Sequence, residues 1–409
     1  MPSLSERLKS LGVKVGTQDL PPPKPTKTFP VEDVVPGRFL ETHGGNTFLI
    51  EEDFPHDYIH GEVGLRISTS PHIIAEWAGE LHIVEQQPEA YAFLDTETSG
   101  LAGGTGTFAF LIGVGRYTQA GFQLAQFFMR DPLEEPAMLV ALEEFLAPCQ
   151  TIVSFNGKAF DIPLLDTRYT LQGWKSPFKN LGHVDLLHLA RRLWRDRLPS
   201  RTLANLEVQI LHASRTDEEI PGWMIPQLYF DYLRDGDARP LKRVFYHNAM
   251  DVVSLAALLN HTSSFLENPV ARSADEYIDL AAVARLMEDL GHTDEAARLY
   301  ETCLQSDLPE SVLFDTTNRL SLLYKRNANH LAAIPLWEKA AAGKKLYAFE
   351  ELAKYYEHVA QDIPTALKWT TSAITLLDTE GILDPESARW KNEFQHRLQR
   401  LERKFAAQT

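Results

Sequence analysis

Four apolar residues followed by four polar ones make up YAFLDTET at 91–98. That is the pattern of a buried strand carrying polar groups at its end. FAFLIGVGRY and FQLAQFF follow, each bounded by glycine, so three successive strands can pair as a meander. PAMLVALEEFL then repeats apolar residues at helical spacing, and TIVSFN is again a short buried strand. After it the pattern is mostly helical, through DIPLLDTRYTL, LLHLARRLW, TLANLEVQIL, PQLYFDYLRDG and PLKRVFYHNAMDVVSLAALLNHTSSFL. Three strands, a helix, a fourth strand and then helices predict an α/β domain over residues 86–267, a mixed sheet flanked by helices.

The flanks follow other rhythms. Residues 1–30 hold Leu4, Leu8 and Leu11 at helical spacing and then DLPPPKPTKTFP, which reads as a loose tail and proline-rich linker. Residues 31–85 read as short strands and turns, a β-rich extension in which THGGNTFLIEE suggests a hairpin with Gly44, Gly45 and Asn46 at the turn. His56 and His60 near Asp57 read as hydrogen-bonded turn residues rather than as a metal site. Residues 274–405 are helical and repeat internally: Ala296, Ala333 and Ala366 align, as do Leu299, Leu336 and Trp369. The period is close to the ~34 residues of a tetratricopeptide unit, with small alanines letting helices approach and the larger residue filling the groove. Such repeats present concave surfaces, so a protein partner is expected there.

Composition sharpens this little. The 409 residues suit two domains plus an irregular segment. A net charge of −16 argues against coating nucleic acid by bulk electrostatics, but not against local binding. Cys149 and Cys303 lack zinc-type spacing and sit among apolar residues, as buried thiols do. The opening MPSLSERLKSLGVKVG has no apolar run of signal-peptide or membrane-span length, so a cytoplasmic location and no membrane association are expected. Gly103, Gly104 and Gly106 lack the Gly-Lys-Ser/Thr ending of a phosphate loop and read as a hairpin turn.

The chemistry starts with FLDTETSGL. Asp95 and Glu97 are two apart on a strand, so they face the same way. Adjacent carboxylates repel unless a cation holds them, and Mg²⁺ and Mn²⁺ choose oxygen ligands. In SFNGKAFDIPLL a buried strand ends at Asn156 and Asp161 opens a helix, with Pro163 at an early helical position. Asp161 can also be a plain N-cap. In YHNAMDVVSL, Asp251 shares a helix face with His247 and Leu255 and points inward, where a carboxylate needs a metal or an arginine as partner.

These three segments together resemble the DEDD superfamily of metal-dependent 3′→5′ exonucleases, with DTETSGL, NGKAFD and HNAMD in the places of its motifs. The region 86–267 is more closely similar to the predicted-exonuclease branch of RNase H-like proteins typified by bacterial YprB, some of which carry C-terminal tetratricopeptide repeats. The resemblance implies an RNase H-like fold and two Mg²⁺ or Mn²⁺ ions held by Asp95, Glu97, Asp161 and Asp251, one activating water and one stabilising the leaving oxygen. It implies a nucleic-acid substrate, DNA or RNA, as a single strand or 3′ end. Family members place a tyrosine four residues, or a histidine five residues, before the last aspartate as general base. Here His247 stands four before and Tyr246 five before. Four helical residues turn through about 400°, which stacks His247 over Asp251 and favours it.

Thr98, Gly100, Leu101, Asn156 and Phe160 fall where substrate contacts are expected, although Phe160 also suits the core. Asp185 suits either support of the site or an N-cap. Arg191, Arg192, Arg195, Arg197 and Arg201 form a local basic span, with Lys242 and Arg243 a turn before His247. Arg192 and Arg195 are the candidates for gripping a phosphate backbone, against the alternative of a helix face with ordinary ion pairs. Two other functions compete: a repeat-bearing adaptor or nucleic-acid-binding protein with an inactive nuclease-like domain, and an RNase H-like endonuclease.

Overall fold

The computed structural model describes residues 28–100, 106–271, 273–380 and 385–407. The expected tail at Leu4, Leu8 and Leu11, the glycines Gly103 and Gly104, and Leu101 lie outside the described residues.

Among the described residues nine strands form: β1 (Arg38–Thr42), β2 (Gly45–Pro55), β3 (Ile59–His60), β4 (Val63–Gly64), β5 (Tyr91–Thr98), β6 (Ala109–Thr118), β7 (Gly121–Phe128), β8 (Thr151–Ser154) and β9 (Gly182–Asp185). Seven build one mixed sheet in the order β1-β2-β7-β6-β5-β8-β9. The meander β5–β6–β7 is antiparallel, while β5, β8 and β9 run parallel. This is the α/β architecture the apolar runs predict, with two additions. Strand β9 escapes the periodicity reading because GHVD is only four residues long. The β1–β2 hairpin joins the same sheet, since β2 pairs with β7 from Phe48↔Phe128 to Pro55↔Gly121. Its turn is His43–Gly44, and Asn46 is a ladder residue opposite Glu41.

Helices cover both faces: α1 (His72–Ala78), α2 (Glu135–Leu146), α3 (Asp161–Leu171), α4 (Leu186–Trp194), α5 (Ile225–Asp235) and α6 (Lys242–Glu267). Alternation along β5 decides what meets what. Tyr91 and Phe93 pack with Val252, Val253 and Ala256 of α6 and Leu189 of α4. Ala92 and Leu94 pack with Met138 and Leu142 of α2 and Leu165 of α3. Asp95 and Glu97 therefore emerge on the α6 side of the strand end, and Thr96 on the α3 side.

Further helices follow: α7 (Ala274–Leu290), α8 (Thr293–Cys303), α9 (Glu310–Arg326), α10 (His330–Ala342), α11 (Leu346–His358), α12 (Ile363–Glu380) and α13 (Pro385–Ala406). Consecutive helices pack against one another. Ala296, Ala333 and Ala366 are fully buried, each on the second helix of a successive pair. Helix α7 docks on the sheet domain. Val283 and Met287 share a core with Leu193 and Trp194, and Arg197 pairs with Asp279 at 2.8 Å. Cys149 and Cys303 are buried free thiols. Among the described residues no helix is long and apolar enough to cross a membrane.

Candidate active site

The end of β5 meets the N-terminal half of α6. Asn248, fully buried, donates from Nδ2 to Asp95 Oδ2 at 2.9 Å. Buried Gln126 on β7 donates to Asn248 Oδ1 at 2.9 Å and to the Phe245 carbonyl at 2.8 Å. This ordered chain fixes the rotamer of Asp95 through groups buried away from solvent. It needs Gly113, the residue opposite Asp95 on β6, because a Cβ there would lie 2.3 Å from Asn248 Oδ1.

Beside Asn248 on the same helix, His247 Nε2 lies 3.4 Å from Oδ2 of Asp251, one turn on, and 3.8 Å from Glu97 Oε1. Glu97, His247 and Asp251 each offer a ligand atom, all within 4.8 Å of one another. Their side chains are 12%, 17% and 16% exposed, so they are recessed yet reachable. Tyr246 points elsewhere: its hydroxyl accepts the Thr216 backbone N–H at 2.9 Å.

Asp161 approaches from α3. Thr96 Oγ1 donates to Asp161 Oδ1 at 2.5 Å, which ties the helix start to the strand between the two acidic residues. The loop before it is set by Asp185, only 2% exposed. Its carboxylate accepts the backbone N–H groups of Asn156 at 2.8 Å, Lys158 at 3.1 Å and Leu187 at 3.1 Å. Asp185 thus caps α4 and at the same time holds Asn156 in its left-handed conformation (φ 70°).

A group that sequence reasoning missed completes the site. Arg215, in the irregular segment before α5, bonds Glu207 through Nε at 2.7 Å, Glu219 through Nη1 at 3.0 Å, and Asp251 through Nη2. Glu219 Oε1 also lies 2.5 Å from His247 Nδ1. An arginine had been one of the two partners open to Asp251, and here it is present. No periodic signal marks Arg215, Glu207 or Glu219, because what places them is the fold of a loop.

Burial, reinforced by Asp251 and Asp161, holds the Asp95 carboxyl well above the usual carboxylate range, against the hydrogen bond from Asn248. Burial and the charges of Asp95, Asp251 and Asp161 do the same to Glu97. Burial raises Asp161 to about 6, against the Thr96 hydrogen bond. Burial raises Asp251 too, opposed by Arg215 and His247. These mutual effects place all four carboxylates in one electrostatic neighbourhood. Such a crowd stores unfavourable charge that a divalent cation relieves, and an oxygen-rich donor set with one imidazole fits a hard ion.

The other candidates divide. Thr98 Oγ1 donates to the Gly100 carbonyl at 2.9 Å beside an irregularity in the β5–β6 ladder at Glu97/Thr98. Phe160 is 59% exposed at the N-cap of α3, so it is not a core residue: the helix turns inward only from Leu165 and Tyr169. Arg192 corrects the basic-patch reading. It donates to the Arg285 carbonyl at 3.2 Å and pairs with Asp289, both on α7, so it serves the docking of the helical region. Arg195 pairs with neighbouring Asp196 at 3.2 Å. Lys242 and Arg243 clamp the Glu218–Glu219 segment instead of presenting a free face.

Residues 92–263 match the model of the RNase_H superfamily. YprB of Bacillus subtilis (strain 168) is 33% identical over 324 residues, covering 77% of this chain and 75% of that protein. Among solved structures, the family B DNA polymerase of the hyperthermophilic archaeon Pyrobaculum calidifontis overlaps 59% of this chain and 29% of its own length. The identity is 14% and the TM-score 0.35, an overlap that carries no weight on function.

Proposed function

This chain belongs to the YprB family within the RNase H superfamily, and on that premise we propose that it is a divalent-cation-dependent nuclease that hydrolyses phosphodiester bonds of DNA or RNA, acting from a 3′ end. The observation that carries the reading is the meeting of Glu97, His247 and Asp251 within 4.8 Å, from a strand end and a helix more than a hundred residues apart in sequence. Asp95 and Asp161 stand in the same electrostatic neighbourhood.

Asp95, Glu97, Asp161 and Asp251 would hold two Mg²⁺ or Mn²⁺ ions, which when bound offset phosphate charge and activate water. The protein's own groups do the rest. Asn248 and Gln126 lock Asp95, and Thr96 locks Asp161, so these two carboxylates need no reorganisation when substrate arrives. His247 is the general base. Its Nδ1 cannot take a hydrogen bond from Arg215 while facing Glu219 at the shorter distance, so Nδ1–H donates to Glu219. The Nε2 lone pair then faces Glu97 and Asp251 and takes the proton of the attacking water.

The ion pair of Arg215 with Asp251 favours one alternative, a nuclease-like domain that binds without cutting, because it neutralises one carboxylate. End-labelled single strands of DNA and RNA, incubated with Mn²⁺ beside an Asp95→Ala control, separate the two. Degradation by the wild type alone, releasing mononucleotides, supports an exonuclease. Internal fragments support endonuclease action, and intact strands that stay bound support the alternative.

A further inference from the structure

Arg191, exposed on α4, has no ion pair among the described residues, unlike Arg192, Arg195 and Arg197 beside it. It lines a cavity of about 510 Å³ together with Phe155, Asn156, Leu187, Arg201 and Leu203. That size is typical of a small-ligand pocket, roughly 300–1,000 Å³. Arg201 spends Nη1 on the carbonyls of Leu198 and Pro199, at 2.9 and 3.0 Å, while its buried Nε has no hydrogen-bond partner. A buried N–H left unmade is costly, so its protein neighbours do not fully satisfy Arg201. No acidic residue lines the cavity. The carboxylate of Asp185 next to it is occupied by three backbone N–H groups. In a chain of net charge −16, this is a cationic spot set against an acidic site.

Its position matters as much as its charge. The parallel strands β5, β8 and β9 end on one edge of the sheet. Strand β5 ends at Asp95 and Glu97, β8 leads to Asn156, and β9 leads through Asp185 to α4 and Arg191. Asn156 lines the cavity, and a Cβ added at the next residue, Gly157, would stand 3.2 Å from Asp161 Oδ2. The cavity therefore continues the row of carboxylates along the same edge.

We infer that this cavity is a nucleotide subsite for a single strand, flanking the scissile phosphodiester, an inference that rests on the nuclease reading above. Arg191 and Arg201 pair with oxygens of the neighbouring phosphodiester, as planar guanidinium groups do well. The base packs against Phe155 and Leu203, a sequence-tolerant contact. A base packed on Phe155 and Leu203 has left the stack of a duplex, so the bound strand is unpaired.

The test is a fluorescence-anisotropy titration of a labelled single strand with the full chain in Ca²⁺ buffer, strand integrity being checked on a gel, over a series of salt concentrations. Arg191→Gln weakens binding and makes the salt slope shallower by about 0.7, and Arg191→Gln/Arg201→Gln by about 1.4. Arg389→Gln, the same charge change on α13, leaves both unchanged, and an unlabelled duplex of the same sequence competes poorly. Wild-type affinity and slope in the Arg191→Gln variant, no binding by the wild type, or equal competition by duplex overturns the subsite. The readout needs no turnover, so a wild type that cuts strands while Arg191→Gln binds normally rejects the subsite and leaves the nuclease reading standing. A wild type that binds through these arginines without cutting does the reverse.

Discussion

Glu219 Oε1 lies 2.5 Å from Nδ1 of His247, reaching it from 28 residues earlier in the chain. The contact turns a helix-face histidine into one with a fixed tautomer, its Nε2 lone pair aimed at the carboxylates. Glu219 is thus a positioning residue. His247→Ala is expected to lower kcat by about 10²-fold or more, the range of a lost general base. Glu219→Gln is expected to lower kcat by roughly tenfold with KM little changed, since an amide can donate to Nδ1 and select the wrong tautomer. Single-turnover and steady-state rates on labelled strands check this. Equal loss in KM and no loss in kcat would assign Glu219 to binding instead.

Arg215 is surrounded by Glu207, Glu219 and Asp251, and Glu207 is 1% exposed. Arg215→Ala strands that buried charge, so a loss of about 3–5 kcal/mol of stability is expected in denaturant titration. Arg215→Lys keeps the charge but not the forked geometry and should fall between. A wild-type midpoint for Arg215→Ala would mean that Glu207 finds another partner.

Much of the site was legible because its signals are local. The switch from apolar to polar residues within β5 marks a strand end that carries acidic groups, and two-residue spacing puts Asp95 and Glu97 on one face. Helical spacing chose His247 over Tyr246, and Asp251 Oδ2 indeed lies 3.4 Å from His247 Nε2. What escaped depends on tertiary placement. Strand β9 is too short to show a period, Arg215 and Glu219 sit in a segment with none, and Asn248 looks like any polar helix residue until Gln126 and Gly113 enclose it. For Arg192 the sequence left a phosphate grip and ordinary ion pairs both open, and its contacts with α7 match the second.

The path from Gln126 through Asn248 to Asp95 should be sensitive to deletion. Asn248→Ala removes the donor to Asp95 and one acceptor for Gln126, at an expected cost of about 1–3 kcal/mol, together with a lower rate. Gly113→Ala pushes a Cβ into the Asn248 amide and should reproduce the rate defect with both polar side chains still present. Denaturant titration and strand-cleavage assays on both variants check this. A Gly113→Ala enzyme with the wild-type rate would show that Asp95 does not need this support.

The raised carboxyls give a signed pH dependence. Without a cation, the folded protein holds protons on Asp95, Glu97 and Asp161 that the unfolded chain would release. Their contribution to stability is complete below the ordinary carboxylate range near 4 and is lost as pH rises through the raised values, about 6 for Asp161. Cations bind the deprotonated form, so the rise in Tm on adding Mn²⁺ should grow from about pH 5 to pH 8. Scanning fluorimetry with EDTA and with Mn²⁺ at several pH values reads this directly. The same shift at every pH would disconnect the carboxylates from the ion.

The most direct measurement is anomalous diffraction from crystals soaked in Mn²⁺. Peaks flanked by Asp95, Glu97, Asp161 and Asp251, two when a phosphodiester is present, are the expected result, and they should vanish in Asp95→Asn crystals. No anomalous density at the strand end, with Arg215 still on Asp251 at saturating Mn²⁺, would contradict the metal-dependent reading.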